Sequence, residues 1–322
     1  MSALSSYQGS TVHKDKALAN FALGYENNEL IADKVAPVVP VDDISGTYFK
    51  VPKENTFTYV GQAVVGPSSD IPEVEGTIEE GTYSCIGRGR KSKIALMTDA
   101  MADVPLKLRE GAVLDAMAQL MLEREVRVAG IIFSSANYKA TTNTVAISTK
   151  WDAKSSGVST ADPISDVDAL RGNIFRGPNT RLVAVMSRDV FTALKNNTFV
   201  TARINGGANT ALPAIVMKQL IAALFEVDEV IVAEAWQIAA ATQGRVWGKA
   251  FAILSVSTAP STRALCFALT MRWQAPGPGG VRHAQWIEQK GLMGVEYHSI
   301  TMADAEVTPA NDAGLLFTTV IT

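Results

Sequence analysis

The sequence predicts an α+β protein whose first third cannot form a compact core of its own. Residues 1–98 are mostly extended and rich in turn-forming residues. One long amphipathic helix is predicted from Pro105 to Phe133. After it, residues 161–280 alternate between helical and strand patterns. Segments that must lean on something outside themselves indicate a subunit that interlocks with copies of itself.

Composition limits the class of function. The 322 residues are 47% hydrophobic and 19% charged, which is enough apolar surface for an ordered core. The net charge of -3 gives no global positive field to hold a nucleic-acid backbone. Cys85 and Cys266 lie in strand-like runs, which favours buried thiols over a disulfide framework. No apolar stretch reaches the roughly 20 residues that span a bilayer, so we expect a soluble, untargeted protein with no membrane partner.

Residues 1–44 predict an extended N-terminal arm. A short helical candidate at 14–25 precedes the apolar segment 30–41, in which two closely spaced prolines forbid a helix interior. Its valines would be exposed on an isolated strand, so the arm should pack on its own subunit or on a neighbour. We therefore expect deletion of residues 1–40 to leave a folded body that assembles poorly.

Residues 45–98 predict a long β-hairpin. An outgoing strand at 47–51 and returning strands at 81–86 and 93–97 flank a tip rich in glycine, proline and serine. A two-stranded ribbon is marginal alone in water. The hairpin is therefore expected to need partners.

Charges are segregated along this hairpin into an acidic block and a basic block. The two blocks are Asp70, Glu73, Glu75, Glu79 and Glu80, followed by Arg88, Arg90, Lys91 and Lys93. A solvated loop face is the usual explanation for such blocks. Here the unsupported extension equally favours contact between the acidic stretch of one subunit and basic groups of a neighbour. A nucleic-acid patch is disfavoured because no aromatic residues interleave the basic ones. Reversing the four basic charges should impair assembly more than folding.

The helix predicted at 105–133 is long enough to be a spine, about 42 Å for roughly 28 residues. Its methionines and aliphatic residues recur at helical spacing, which indicates core packing and not a cofactor site. The polar run 123–127 is expected on the opposite, solvent-facing side.

Residues 161–280 predict a compact α/β lobe. Asp162 and Ser187 are expected to cap helices. The other predicted elements are strands at 182–186, 230–233, 245–256 and 264–273 and a helix at 213–225. A final set of strands within 281–321 should return to the sheet beneath the spine helix.

No catalytic, cofactor or metal site is predicted. The three histidines, His13, His283 and His298, have no second ligand at metal spacing. The segment 244–250 has one residue too few between its glycines for a phosphate loop and is expected in a strand. Basic neighbours could lower the pKa of Cys85, but no histidine base is near it in sequence. A buried structural thiol is the favoured interpretation.

Several short motifs occur in a telling order. They are residues 30–41 leading to 45–50, 83–85 before the spine, 123–129 at its end, 162–164 and 246–249. In this order the chain resembles, over nearly its whole length, the major capsid proteins of tailed double-stranded DNA bacteriophages with the Hong Kong 97-type fold. The resemblance implies the following parts: N-terminal arm 1–44, extended hairpin loop 45–98, peripheral domain 99–160 and 281–322 with spine helix 105–133, and axial domain 161–280.

The resemblance implies assembly and no enzymatic activity. Pentamers and hexamers would close into an icosahedral shell that encloses double-stranded DNA without sequence-specific binding and expands on packaging. It implies a portal protein and a place for a decoration protein, location in the virion capsid, and assembly in the bacterial host cytoplasm. The chain begins close to the arm, so a separate scaffolding protein is expected. No local motif for a Lys–Asn crosslink is matched. Two alternatives stay open: an encapsulin-like nanocompartment shell and a cytosolic α/β enzyme.

Overall fold

The computed structural model describes residues 27, 29–50, 71, 73, 79–101, 108–140, 142–205, 214–239 and 242–322. Its α-helices are α1 Ala32–Val35, α2 Leu96–Met101, α3 Leu108–Ile132, α4 Pro163–Arg171, α5 Arg188–Lys195, α6 Thr198–Asn205 and α7 Ala214–Leu224. Its strands are β1 Val38–Val41, β2 Ser45–Lys50, β3 Glu79–Ser84, β4 Ile86–Ala95, β5 Thr144–Ala146, β6 Lys154–Ser155, β7 Val158–Ser159, β8 Thr180–Ser187, β9 Glu229–Ala233, β10 Trp236–Ala239, β11 Thr242–Arg245, β12 Phe251–Ser257, β13 Leu269–Trp273, β14 Val281–Glu288, β15 Val295–Val307 and β16 Gly314–Thr318.

Two five-stranded sheets form the body of the protein. In the first sheet, the long strand β15 pairs antiparallel with β4, with β14 and, at its end, with β13. Strand β1 extends this sheet by pairing in parallel with β13. The second sheet has the order β5-β16-β12-β8-β9, in which β12 is antiparallel to both neighbours. This mixture of helices and two separate sheets confirms the predicted α+β class.

The second sheet is covered on both faces because alternate residues of β8 point in opposite directions. Leu182 and Met186 pack in a cluster with residues of α4, α5, α6 and α7. Val183 and Val185 pack in a different cluster with α1 and the C-terminal end of α3. The predicted caps at its helices are present: the Asp162 side chain accepts from the Ile164 N–H, and Ser187 caps α5.

Helix α3 is the predicted spine. Its 25 described residues span about 38 Å. Near its N-terminal end, Val113, Met117 and Leu120 pack on β14 and β15, so the predicted core role of the methionine-bearing face is confirmed. Near its C-terminal end, Val128 and Ile132 pack against the second sheet. The helix therefore joins the two sheets.

The apolar end of the arm packs on its own subunit, one of the two outcomes that the sequence left open. Val39 and Val41 are buried with β13. The hairpin begins as predicted, with β2 paired antiparallel to β3 from Ser45↔Ser84 to Lys50↔Glu79. The returning segment 93–97 is a correction, because β4 pairs with β15 instead of with the hairpin and runs directly into α2.

Two further segments differ from the sequence prediction. Residues 246–250 form bends between β11 and β12 and not the predicted strand, because Trp247 turns into the core. The last strand, β16, joins the second sheet and not the sheet beneath the spine, since its Leu316 and Phe317 complete the cores on either face. The helical candidate at 14–25, the tip of the hairpin, Pro105 and His13 lie outside the described residues.

Candidate assembly site

The spine helix holds the end of the arm through one fully buried carboxylate. Glu125 accepts hydrogen bonds from the backbone N–H groups of Ile31, at 3.0 and 3.1 Å, and of Ala32, at 2.8 Å. The indole N–H of Trp247 donates to the same carboxylate at 2.6 Å. These backbone donors belong to the start of α1, where N–H groups have no helical acceptor. Burial raises the pKa of Glu125, and these hydrogen bonds and Arg124 oppose that rise.

Arg124, next to Glu125 on the spine helix, holds α1 at the end opposite to the one that Glu125 contacts. Arg124 is 1% exposed, and its guanidinium contacts the Asp33 carboxylate at 2.5 Å. It also donates to the Ala36 carbonyl at 3.3 Å and to the Thr270 hydroxyl at 3.2 Å. Arg124 and Glu125 thus fix α1 between the spine and β13. We call residues 31–36 with Arg124, Glu125 and Trp247 the arm junction.

The arm junction unites three of the motifs that carried the sequence resemblance: 30–41, 123–129 and 246–249. The sequence prediction placed 123–127 on the solvent side of the spine, which is wrong for Arg124 and Glu125. A signal was present, because Arg124 follows Leu120 by four residues and precedes Val128 by four. A charged residue at an apolar position of a helix is a candidate for a buried pair.

The hairpin stem is stiffened by two tyrosines that cover glycines on the opposite strand. A Cβ atom at Gly81 would lie 2.4 Å from the Tyr48 ring, and one at Gly46 would lie 3.0 Å from the Tyr83 hydroxyl. Tyr48 is buried with Cys85 in the cluster that includes β1 and β13. Aromatic residues that cover glycines in this way fix the register of a two-stranded ribbon. The base of the hairpin is therefore attached firmly to the first sheet.

A second buried carboxylate, Asp304 of β15, joins β4, the strand that follows the hairpin, to the spine helix and β13. Arg88 of β4 and Arg127 of α3 each contact its Oδ1 atom at 3.0 Å. Arg272 of β13 lies 3.9 Å from Oδ2. On the adjacent turn of α3, Glu123 contacts Arg90 at 2.8 Å. We call these residues the stem network.

The structure divides the predicted basic block between the two faces of β4. Arg88 and Arg90 face the spine helix and are paired within the chain by the stem network. Lys91 and Lys93 alternate with them and lie on the other face, where both are exposed. There the Lys91 amine lies 4.9 Å from the centre of the Tyr297 ring, which stacks on Trp286 at 5.5 Å.

The predicted acidic block is described only in part. Glu73, Glu79 and Glu80 are exposed, and the last two lie on β3. Asp70 and Glu75 lie outside the described residues. The structure contains one subunit, so contact between the two blocks of neighbouring subunits stays a prediction.

Chemistry at the cysteines fits a structural role. Cys85 and Cys266 are buried free thiols. Burial raises the pKa of Cys85 and raises the pKa of Cys266 to about 12, opposite to what a reactive thiol requires. Among the described residues, no group of three or more His, Cys, Asp or Glu side chains could hold a metal ion. No helix in the described part of the chain is long and apolar enough to cross a membrane.

The arm, the hairpin, the spine helix laid over one sheet and a second sheet covered by helices together define the Hong Kong 97-type capsid fold. A phage-related protein from Bordetella bronchiseptica RB50 shares this fold with a TM-score of 0.71 and 23% identity, covering 97% of this chain and 99% of that one. The capsid of cyanophage P-SCSP1u has a TM-score of 0.54 at 11% identity, covering 98% and 92%. The SrpI encapsulin of Synechococcus elongatus PCC 7942 has a TM-score of 0.52 at 11% identity, covering 96% of each chain.

Relatives in sequence favour a phage capsid protein over an encapsulin. The chain is 26% identical over 313 residues to the major capsid protein of Pseudomonas phage JBD67, covering 94% of this chain and 96% of the relative. It is 27% identical over 227 residues to the major capsid protein of Burkholderia phage BcepMu, covering 69% of each. No protein-family model matches. The chain is a homologue of phage major capsid proteins, which confirms the family predicted from the sequence. The encapsulin likeness extends to the fold alone.

Proposed function

We propose that this chain is the shell-forming subunit of a tailed-phage head, in which pentamers and hexamers enclose double-stranded DNA. The observation that carries the proposal is the way the two extended segments are rooted. Glu125 and Asp304 are both fully buried; Glu125 ties the arm to the spine helix, and Asp304 ties the spine helix to β4, the strand that directly follows the hairpin. Segments anchored at their base and lacking a core of their own suit weak contacts repeated over many copies.

Electron microscopy and sedimentation of the expressed full-length chain test this function. We expect closed particles of uniform diameter that are far larger than a 34.3 kDa subunit. A species that stays monomeric across salt and protein concentration would contradict the proposal. Particles that enclose a host enzyme and no phage DNA during infection would favour the encapsulin-like alternative.

We further propose that the acidic stretch 70–80 of one subunit binds the Lys91 and Lys93 face of a neighbour. Arg88 and Arg90 already have carboxylate partners within the chain, so they have less to offer a neighbour. Lys91 and Lys93 are exposed on the face of β4 that points away from the spine helix. Glu79 and Glu80, on β3, are exposed as well. Opposite charges at a shell contact set the register of the partners and not their fold.

Two matched double variants separate these roles. Lys91→Glu with Lys93→Glu should leave the free energy of unfolding of the subunit within about 0.5 kcal/mol and strongly reduce particle yield. Arg88→Glu with Arg90→Glu should lower subunit stability by about 3 kcal/mol, because it places carboxylates beside Glu123 and the buried Asp304. Adding Glu79→Lys and Glu80→Lys to the first variant should restore particles. Normal assembly of the Lys91/Lys93 variant would mean that these side chains only face solvent and do not bind a neighbouring subunit.

Further features of the proposal follow the same resemblance. The chain has no enzymatic role, its shell carries a portal protein, and assembly takes place in the host cytoplasm. A separate scaffolding protein and a decoration protein are further proposed partners. The division into arm 1–44, hairpin loop 45–98, peripheral domain and axial domain also stays a proposal. Strand pairing adds one detail to this proposed division: β13 pairs within the first sheet and β16 pairs within the second.

A further inference from the structure

Two buried histidines lie side by side beneath the N-terminal half of the spine helix. Nε2 of His283 on β14 is 3.3 Å from Nδ1 of His298 on β15, and the rings stack at 5.5 Å. Their residues are 3% and 0% exposed. Nε2 of His298 lies 3.2 Å from Oε1 of Glu296, which is buried as well. A row of three titratable side chains therefore occupies the seam between the helix and the sheet.

Charged groups from each neighbouring element surround this row. From α3, Arg109 donates to both oxygens of Glu296 at 3.1 Å. From α2, Asp99 lies 3.6 Å from the Arg109 guanidinium. From β14, the neutral Gln285 amide donates to Glu296. The same stretch of α3 carries Glu110, half-buried, and Asp115, exposed.

Strand β4 completes the surroundings. Ser92 is opposite His298, and Arg90 is opposite Ile300. Arg90 is engaged by Glu123, one end of the stem network. Burial raises the pKa of Glu296, but Arg109 and the other polar partners outweigh burial and hold that pKa below its usual range. Glu296 is therefore ionised at neutral pH.

Proton counting shows what the row can accept. A contact of 3.3 Å between two ring nitrogens holds one proton, which one histidine donates and the other accepts. One added proton is accommodated, because an imidazolium at His298 can donate to a neutral His283 and is stabilised by the negative charge of Glu296, which lies 3.2 Å from its Nε2 atom. A second added proton would set two N–H donors and two positive charges against each other in a buried site. In acid, the native pair therefore holds one added proton where the same two histidines in water hold two.

We propose that the His283–His298 pair is an acid-sensitive latch between the spine helix and the first sheet. The latch stays closed while the pair carries at most one added proton and opens when acid supplies the second. Exposed histidines take up protons near pH 6.5, so the open state gains one proton relative to the closed state below that pH. The equilibrium constant for opening then increases about tenfold for each unit by which the pH falls. The latch is a property of the subunit and does not depend on shell assembly.

Hydrogen exchange on the full-length chain, measured by mass spectrometry between pH 7.5 and 5, tests the latch. After correction for the intrinsic pH dependence of exchange, peptides from 109–120 and 281–302 should lose protection about tenfold per pH unit below about pH 6.5. Peptides from the second sheet, such as 182–186, should keep theirs over the same range. Uniform loss of protection, or none above pH 5, would overturn the proposal.

Substitutions supply the matched comparison. His283→Gln keeps a polar partner for His298 and removes the second titrating ring, so the pH-dependent loss of protection should disappear. His298→Gln should do the same, and it provides the test if the first variant does not fold. His13→Gln is the control, because it changes the remaining histidine of the sequence. An acid response in either variant equal to that of wild type would contradict a latch formed by this pair.

Discussion

At the residue scale, the connections between parts of the subunit are made by buried charges on the spine helix. Arg124 and Glu125 hold the arm, and Arg127 binds the carboxylate of Asp304, which also contacts Arg88 of β4. Hydrophobic periodicity predicted the apolar face of this helix correctly but assigned these residues to solvent. Periodicity reports only the polarity of each position. The partners that offset the desolvation of these buried charges lie about 90 residues away in sequence, so a local pattern does not reveal them.

Glu125→Gln should destabilise the subunit. The amide has one acceptor oxygen where the carboxylate has two, and its NH₂ group would face backbone donors of Ile31 and Ala32. We expect a loss of about 2 kcal/mol in the free energy of unfolding, measured by urea denaturation of unassembled subunits. Asp115→Asn, an exposed carboxylate on the same helix, is the control and should change stability by less than about 0.5 kcal/mol. Equal effects in both variants would mean that Glu125 does not anchor the arm.

At the element scale, local patterns predicted most helices and strands, and the pairing of strands was harder to foresee. The caps at Asp162 and Ser187 and the buried strand 182–186 depend on neighbours in sequence, so they were predictable. The assignment of β4 to β15 depends on residues about 200 positions apart. Only Cys85 separates β3 from β4, which belong to different sheets, and the sequence there carries no local sign of that change.

The hairpin stem should be sensitive to a side chain at Gly81, whereas β4, the strand that follows it, should tolerate one at Gly87. Gly81→Ala places a Cβ atom 2.4 Å from the Tyr48 ring, which must leave its buried position, whereas Gly87→Ala meets nothing within 4 Å. We expect the first variant to lose hydrogen-exchange protection at 45–50 and to give fewer particles, and the second to resemble wild type. Full protection at 45–50 in Gly81→Ala would show that the tyrosine does not fix the stem.

Truncation of the arm should have two distinct outcomes. Deleting residues 1–26 keeps every residue of the arm junction, so the anchoring of the arm to Glu125 should be retained and assembly should suffer. Deleting residues 1–40 also removes the buried Ile31 and Val35 and exposes Glu125. Each lost side chain removes about 1.5–3 kcal/mol of burial, so this truncation should destabilise the body, contrary to the expectation from sequence. Denaturation midpoints of the two proteins decide the matter, and equal midpoints would contradict the anchoring role.

At the scale of the whole molecule, the order of parts along the sequence was sufficient to predict the fold, and homology to phage capsid proteins confirms it. The spine helix joins two sheets and contacts both the end of the arm and, through Asp304, the strand that follows the hairpin. Contacts between subunits could not be predicted with the same certainty, since they depend on surfaces that no local pattern describes. The division of the basic block between two faces of β4 is an example, because only the strand register reveals it.

A cryo-electron microscopy reconstruction of the assembled particle tests the central claim most directly. The account predicts a closed shell in which residues 70–80 of one subunit lie within about 4 Å of Lys91 or Lys93 of the next. Arg88 and Arg90 should keep their partners Asp304 and Glu123 within the same subunit. A shell in which the acidic stretch packs on its own subunit, or a chain that forms no closed shell, would contradict it.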